Sequence, residues 1–156
     1  YVSPDGVEIC DDGVDNDCDE LTDSDDYCVY EGTYEGSFDI LLTETLYDFG
    51  EDTCSGTVSI VIDATADPVI DGTGECSFLG DFALVLPDTY VSTLGGSFVD
   101  SDLNSEGTAE TPDLGWSLDW TNAWAAETEF DMYISGSDTY MGFEFDYELT
   151  VVSDLQ

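Results

Sequence analysis

Hydrophobic and polar residues alternate along the chain from Val29 to its end. The pattern is clearest in the last segment, where Glu144, Asp146, Glu148 and Thr150 separate apolar neighbours. Those neighbours are Met141, Phe143, Phe145, Tyr147, Leu149 and Val151. Successive side chains of a strand point to opposite faces of a sheet, so strict alternation predicts strands with one buried face.

The same period of two recurs in earlier segments, separated by clusters of Gly, Pro, Asp and Asn that favour turns. Its apolar positions include Tyr34, Phe38, Ile40, Leu42, Cys54, Val58, Ile60, Ile62, Ile70, Cys76, Phe78, Leu94, Phe98, Trp116, Leu118, Trp120, Phe130, Met132 and Ile134. Residues 82–86 add an apolar run, residues 104–107 are expected to form a turn, and residues 121–126 one helical turn. About eight or nine short strands at this spacing predict an all-β fold, an antiparallel barrel or sandwich.

Residues 1–28 lack this alternation, which divides the chain into an acidic, cysteine-framed segment, residues 1–28, and a β-domain, residues 29–156. Counted from Asp15, carboxylates fall at positions 1, 3, 5, 9 and 12 of a twelve-residue loop, the spacing of an EF-hand calcium loop. The expected ligands are Asp15, Asp17, Asp19, Asp23 and Asp26, with the backbone carbonyl of Leu21 at position 7.

The loop departs from an EF-hand at position 6, where Glu20 replaces the Gly that the sharp turn usually needs. The flanking sequence also offers no clear helix. The sequence therefore predicts an isolated, disulfide-pinned Ca²⁺ loop, and the alternative is a solvated acidic linker.

Five cysteines indicate an oxidising compartment. Cys54 and Cys76 lie on the inward phase near the ends of two consecutive predicted strands, so we expect a disulfide between them, worth about 3 kcal/mol in loop entropy. Cys10, Cys18 and Cys28 are expected to form one further disulfide, and the pair among them stays open. The third cysteine is then free, buried or linked to another molecule.

The charge of the chain has one sign. It contains 38 Asp and Glu residues and no Lys, Arg or His, a formal net charge of −38. Without a basic side chain it cannot neutralise nucleic-acid phosphates, clamp a transferring phosphoryl group or build a Ser-His-Asp triad. Self-repulsion destabilises a compact fold unless cations or salt screen it. Bound Ca²⁺ or a calcium-rich exterior is the simplest remedy, and the alternative is the general acidity of halophilic proteins.

Two segments carry resemblances. Residues 8–28 resemble a D-N-D-C-D metal-binding motif of secreted and surface proteins from myxobacteria and related bacteria, through the run Cys10-Asp-Asp-Gly-Val-Asp-Asn-Asp-Cys-Asp19. Members often continue with two more cysteines, and here Ser24 and Cys28 stand at those places. This resemblance implies a metal-binding segment on a secreted or cell-surface protein.

The glycine-rich frame of the β-domain is similar to lipocalin-like barrel domains of bacterial surface proteins, over residues 30–152. The frame runs from Tyr34-Glu-Gly-Ser-Phe through Cys54-Ser-Gly-Thr-Val to Gly-Glu-Cys76-Ser-Phe. This resemblance implies a small barrel and an extracellular location on a bacterial cell surface.

These features favour a secreted, calcium-stabilised structural protein that assembles with copies of itself into an extracellular filament or coat. Either terminal segment could add a strand to a neighbour's open sheet edge, and calcium could bridge facing acidic surfaces. Abundant Thr and Ser offer acceptors for O-linked glycans, and no apolar run reaches the length of a membrane span. No nucleic-acid partner is expected.

The alternative function is a lipocalin-like binding module for a small apolar or carbohydrate ligand, with a mouth lined by aromatic side chains. Its candidate residues are Trp116, Trp120, Trp124, Tyr133 and Tyr140. A core role for Trp116 and Trp120 is the simpler interpretation, because aromatic residues dominate cores. An enzyme is not expected, since without His or Lys only a pair of carboxylates could act as acid and base.

Overall fold

The computed structural model describes residues 7–22, 28–84, 86, 89–99, 103–126 and 128–156, with the backbone alone at residues 122, 124 and 126. The strands are β1 (Glu8–Ile9), β2 (Cys28–Val29), β3 (Gly32–Glu44), β4 (Gly50–Ile62), β5 (Ile70–Phe78), β6 (Tyr90–Phe98), β7 (Asn104–Thr111), β8 (Trp116–Ala126), β9 (Glu129–Tyr140) and β10 (Phe143–Leu155). A 3₁₀ helix spans Asp81–Leu84. Over the described residues, no helix has the length and apolar character needed to cross a membrane.

Strands β3 to β10 form a closed antiparallel barrel in which each strand pairs with the next and β10 pairs with β3. The longest ladders join β3 to β4, from Gly32 opposite Ile62 to Glu44 opposite Gly50, and β10 to its two neighbours. The predicted all-β antiparallel fold is confirmed, and of the two predicted architectures it is the barrel.

The alternating apolar residues fill the barrel. Tyr34, Phe38, Ile60, Tyr90 and Leu149 are fully buried, while their neighbours along each strand face solvent. Side chains along each barrel strand point alternately to the interior and to the exterior. This alternation is the period of two that the hydrophobic residues show in the sequence.

One ladder is much shorter than the others. Strands β8 and β9 pair from Trp124 opposite Asp131 to Ala126 opposite Glu129. In the described part of the chain, residues 116–120 of β8 therefore pair with β7 alone, and residues 132–140 of β9 pair with β10 alone. We call this opening the β8–β9 seam. Tyr147 of β10 packs behind it against Trp116, with ring centroids 5.4 Å apart.

Two local predictions were wrong. Residues 104–107 begin strand β7 instead of a turn, and residues 121–126 belong to strand β8 instead of a helical turn. The apolar run at residues 82–86 overlaps the 3₁₀ helix. Strand β7 escaped notice because its inward positions carry small residues, Ser105, Gly107, Ala109 and Thr111, which give no hydrophobic alternation.

The small residues of β7 leave room for a large neighbour. Gly107 lies opposite Gly96 on β6 and Trp120 on β8. A Cβ atom at either glycine would come within 2.5 Å of the Trp120 indole. The tryptophan therefore fills the volume that the two glycines leave, and glycine is required at both positions.

The N-terminal segment packs onto the barrel near the start of β3. We call residues 7–29 the head, of which 7–22, 28 and 29 are described. Strands β1 and β2 pair in parallel, and the Cys10 backbone N–H donates to the Val29 carbonyl at 3.1 Å. Ile9 and Val29 belong to the same buried cluster as the barrel residues, so the head shares the barrel core.

Candidate metal centre

Three carboxylates converge in the head. Oxygen atoms of Glu8, Asp15 and Asp17 lie within 4.8 Å of one another. Glu8 is fully buried, Asp17 is 6% exposed and Asp15 is half-buried. A compact group of carboxylate oxygens is the ligand set that hard divalent cations prefer in proteins.

Glu8 reaches this group because β1 is held against the acidic loop. A Glu8 carboxylate oxygen accepts a hydrogen bond from the Asn16 backbone N–H at 2.7 Å. In return, the Asn16 side-chain oxygen accepts from the Ile9 backbone N–H at 3.1 Å. This reciprocal pair, together with the pairing of Glu8 opposite Cys28, fixes β1 beside the loop.

The loop itself is folded around its own carboxylates. The two Asp15 oxygens accept from the backbone N–H groups of Asp19 at 3.2 Å and Glu20 at 3.1 Å. Asp17 also accepts from the Asp19 N–H, at 3.3 Å. Glu20 has a φ of 80°, the left-handed conformation that usually falls to Gly. The chain thus makes the turn expected at loop position 6 with a non-glycine residue.

The sequence-based ligand set is only partly assembled here. Asp15 and Asp17 are brought together, whereas the exposed Asp19 carboxylate accepts from the Leu21 backbone N–H at 2.7 Å and is not one of the three clustered groups. Leu21 is 43% exposed. Asp23 and Asp26 lie outside the described residues. Glu8 was missed, although its position between Val7 and Ile9 marks an acidic residue in an apolar stretch.

The carboxylates of the cluster repel one another when charged. At an effective dielectric constant of about 20, two unit charges at the 4.8 Å limit of the cluster repel by on the order of 3 kcal/mol, and by more at shorter separations. The sequence contains no Lys, Arg or His, so no basic side chain of this chain can offset that repulsion. A bound divalent ion would stabilise all three carboxylates at once.

The disulfides frame both regions. Cys10 and Cys28 are joined, with Cα atoms 5.2 Å apart, and this bond closes the head across the acidic loop. Cys54 and Cys76, the pair expected from their strand positions, are joined across β4 and β5 with Cα atoms 5.3 Å apart. Cys18 is the exposed free thiol.

The aromatic residues proposed for a ligand mouth are dispersed. Trp116 and Trp120 are 3% and 2% exposed and belong to the core. Tyr133 is 58% exposed on the outer face of β9, and Tyr140 is half-buried at the end of that strand. The side chain of Trp124 lies outside the described part of the structure.

Comparison with known proteins adds no relative: no protein-family model, no curated protein and no solved structure matches this chain significantly.

Proposed function

We propose that this chain is an extracellular, calcium-stabilised structural protein whose head binds Ca²⁺ and whose barrel assembles with copies of itself. The observation that carries the proposal is the convergence of Glu8, Asp15 and Asp17 in a chain that has no basic side chain. The ion would lock the acidic loop to β1 and so attach the head to the barrel.

Calcium fits this group better than other divalent ions. All three side chains offer oxygen, which hard cations prefer to the imidazole and thiolate ligands of transition metals. The clustered oxygens lie within 4.8 Å of one another, close enough for one ion to contact all three side chains. Mg²⁺ dehydrates reluctantly and usually keeps several waters, whereas Ca²⁺ accepts a flexible set of protein oxygens. Backbone carbonyls and water would complete the six to eight ligands that Ca²⁺ takes.

The β8–β9 seam supports assembly by strand addition. The rest of the barrel is closed, and a closed barrel offers no edge to a partner. At the seam, within the described residues, 116–120 and 132–140 pair with one neighbouring strand only. A strand from a second copy would extend the sheet there, and calcium between facing acidic surfaces would reduce the repulsion between copies.

The two disulfides favour an extracellular location, because such bonds persist in oxidising compartments. The proposed setting is the surface of a bacterial cell. The outer faces of the strands carry exposed Thr and Ser, for example Thr73 and Ser59, which could accept O-linked glycans.

Calorimetric titration with CaCl₂ tests the ion site. We expect saturable binding by the wild type and at least about tenfold weaker binding by Glu8→Gln and Asp17→Asn, since each substitution removes one charged ligand. Glu75→Gln and Asp71→Asn, on the exposed face of β5, are the matched controls and should bind as the wild type does.

Asp19→Asn separates two locations of the ion. If the ion lies in the Glu8 cluster, this exposed residue is nearly neutral to affinity. Loss of binding in Asp19→Asn with no change in Glu8→Gln would instead put the ion in a loop with EF-hand spacing. The absence of any binding at millimolar calcium would end the calcium proposal.

Electron microscopy and hydrogen exchange test assembly. We expect filaments or sheets in calcium that dissociate when a chelator is added. The backbone amides of residues 116–120 and 132–140 should exchange more slowly in the assembly than in the monomer, whereas β4 should be unchanged. A protein that stays monomeric at high concentration in calcium would contradict the assembly proposal and leave the ion site to be judged by titration.

A further inference from the structure

A second site lies at the barrel end away from the head. Strand β3 starts beside the head and runs for 13 residues, about 40 Å along the strand, to Glu44. There a pocket of about 330 Å³ opens between the β3–β4, β5–β6 and β9–β10 connections. Its volume falls at the lower end of the range for small-molecule sites.

Aromatic rings form the wall of this pocket. The rings of Phe49 and Phe143 lie 5.9 Å apart, those of Phe143 and Phe145 6.3 Å apart, and those of Phe145 and Phe82 5.8 Å apart. Tyr140 also lines the pocket. These contacts join three connections into one continuous aromatic surface, which we call the aromatic wall.

The three connections that line the pocket also carry exposed apolar residues. The most exposed large ones in this part of the barrel are Leu46, Tyr47, Phe49, Leu79, Leu84 and Met141. They are between 49% and 87% exposed, in a chain whose surface is otherwise strongly acidic. Exposed apolar residues gathered at one place mark a binding surface more often than scattered ones do.

Two carboxylates, Glu44 and Asp81, line the same pocket. Glu44 is 3% exposed, and its oxygens accept from the backbone N–H groups of Leu46 at 2.9 Å, Tyr47 at 2.9 Å and Phe49 at 3.2 Å. Burial raises the pKa of Glu44, but these N–H groups lower it by more, so it lies below its ordinary value. Glu44 is therefore a fixed negative charge beside the aromatic wall.

The position of Phe82 in the aromatic wall is also set by a carboxylate. Asp52 on β4 accepts a hydrogen bond from the Phe82 backbone N–H at 2.9 Å. This bond holds the start of the 3₁₀ helix against the barrel. Hydrogen bonds to the backbone therefore fix the positions of both Glu44 and Phe82 at this site.

We propose that this pocket binds an organic cation carrying alkyl groups, in particular a quaternary ammonium group. The faces of aromatic rings attract such cations, and nearby carboxylates add to the attraction. An organic anion would be repelled by Glu44, Asp81 and the field of a chain with net charge −38. A hard metal ion would need an oxygen cage, which an aromatic wall does not supply.

The pair choline and 3,3-dimethylbutan-1-ol tests the proposal, because the two molecules share one shape and differ in charge. Binding is measured by NMR shifts of the protein's aromatic protons at constant ionic strength. We expect saturable choline binding and about three- to fivefold weaker binding of the neutral alcohol. Glu8→Gln should bind choline as the wild type does, because the site does not involve the head.

Variants locate the site. Phe49→Leu removes an aromatic face at an exposed position, and we expect about threefold weaker choline binding. Tyr133→Leu, which removes an exposed aromatic ring from the outside of β9, is the matched control. Asp81→Asn should weaken binding by about twofold or more, compared with Asp71→Asn on β5.

Three results would overturn the proposal. Equal binding of choline and the alcohol would make the pocket a site for neutral apolar molecules. Choline binding that Phe49→Leu and Tyr133→Leu leave equally strong would be counterion attraction to the acidic surface. A mass that doubles in solution for the wild type and not for Phe49→Leu, with no choline binding, would make this end an interface between copies.

Discussion

The head and the barrel are each stabilised by a different kind of interaction. The described part of the head has two strands of two residues each, a disulfide, and carboxylates that accept hydrogen bonds from backbone N–H groups. The barrel has eight strands and an interior of aromatic and aliphatic side chains. The head therefore brings buried carboxylates together, whereas the barrel keeps most of its carboxylates on the outer face, with Glu44 as a single buried exception among the described residues.

This difference shows where, in a chain without basic side chains, cations from solution matter most for reducing the repulsion between carboxylates. Carboxylates on the outer faces of the barrel strands are solvated and screened by salt. In the Glu8, Asp15 and Asp17 group, two of the three carboxylates are buried and are screened much less, so the proposed ion would act here. Barrel stability should accordingly depend on packing, and head order on cation and disulfide.

Of these predictions, substitution of Gly56 should have the largest effect on the stability of the barrel. A Cβ atom at this position would overlap the Glu75 carbonyl oxygen and come within 2.7 Å of the Cys76 Cα, both of them backbone atoms of β5. We expect Gly56→Ala to lower the free energy of unfolding in urea by about 3 kcal/mol or more, with or without calcium.

Gly95→Ala is the control for this substitution. The nearest atom to a Cβ at Gly95 is Pro68 Cγ at 3.6 Å, an ordinary contact, so the variant should be near neutral. If both variants lost stability equally, a general preference for glycine in these strands, and not the approach of β5, would be the cause.

Removal of each disulfide sharpens the comparison. Loss of the barrel bond in Cys54→Ser/Cys76→Ser should lower the free energy of unfolding by about 3 kcal/mol and leave calcium affinity nearly unchanged. Loss of the head disulfide in Cys10→Ser/Cys28→Ser should weaken calcium binding by about tenfold. Strand β1 carries Glu8, and without the disulfide only its backbone pairing holds it to β2.

Urea denaturation followed by tryptophan fluorescence and calorimetric calcium titration measure the two quantities. The three tryptophans are in β8, so the fluorescence reports on the barrel. If each double variant changed stability and calcium affinity alike, head and barrel would be one cooperative unit, and the comparison would fail.

Much of the barrel could be predicted from the sequence because its interior positions are large and apolar. The alternation in β10, from Phe143 to Val151, follows directly from a strand with one buried and one exposed face. Strand β7 could not be found this way, since glycine, alanine, serine and threonine fill its inward positions. Its place is set by Trp120 of the next strand, a tertiary contact that leaves no local periodicity.

The candidate site was less predictable for a related reason. Asp15 and Asp17 stand out because an EF-hand takes its ligands from one continuous loop. Glu8 joins them through the pairing of β1 with β2 and the hydrogen bond from Asn16, which bring a residue from outside the loop. The aromatic wall likewise combines three connections that are far apart in sequence.

Tyr34 links the two regions and gives the smallest of these effects. Its ring is fully buried in the barrel, and its hydroxyl donates to the Tyr30 carbonyl, next to the head, at 2.7 Å. Burial raises the pKa of Tyr34 from 10.0 to about 12, so the native state keeps the proton more tightly than the unfolded state does. This contribution to stability is complete below about pH 10 and is lost as pH rises towards about 12.

At pH 8, Tyr34→Phe should be less stable than the wild type by about 1 kcal/mol, the value of one hydrogen bond. Between about pH 10 and 12 the difference in stability should narrow, because the phenylalanine variant has no proton to lose at this position. Tyr133→Phe, at an exposed site, should run parallel to the wild type throughout. A Tyr34→Phe curve that also stayed parallel would show that the Tyr34 hydroxyl titrates alike in the native and unfolded states, and would remove Tyr34 as the titrating link between barrel and head.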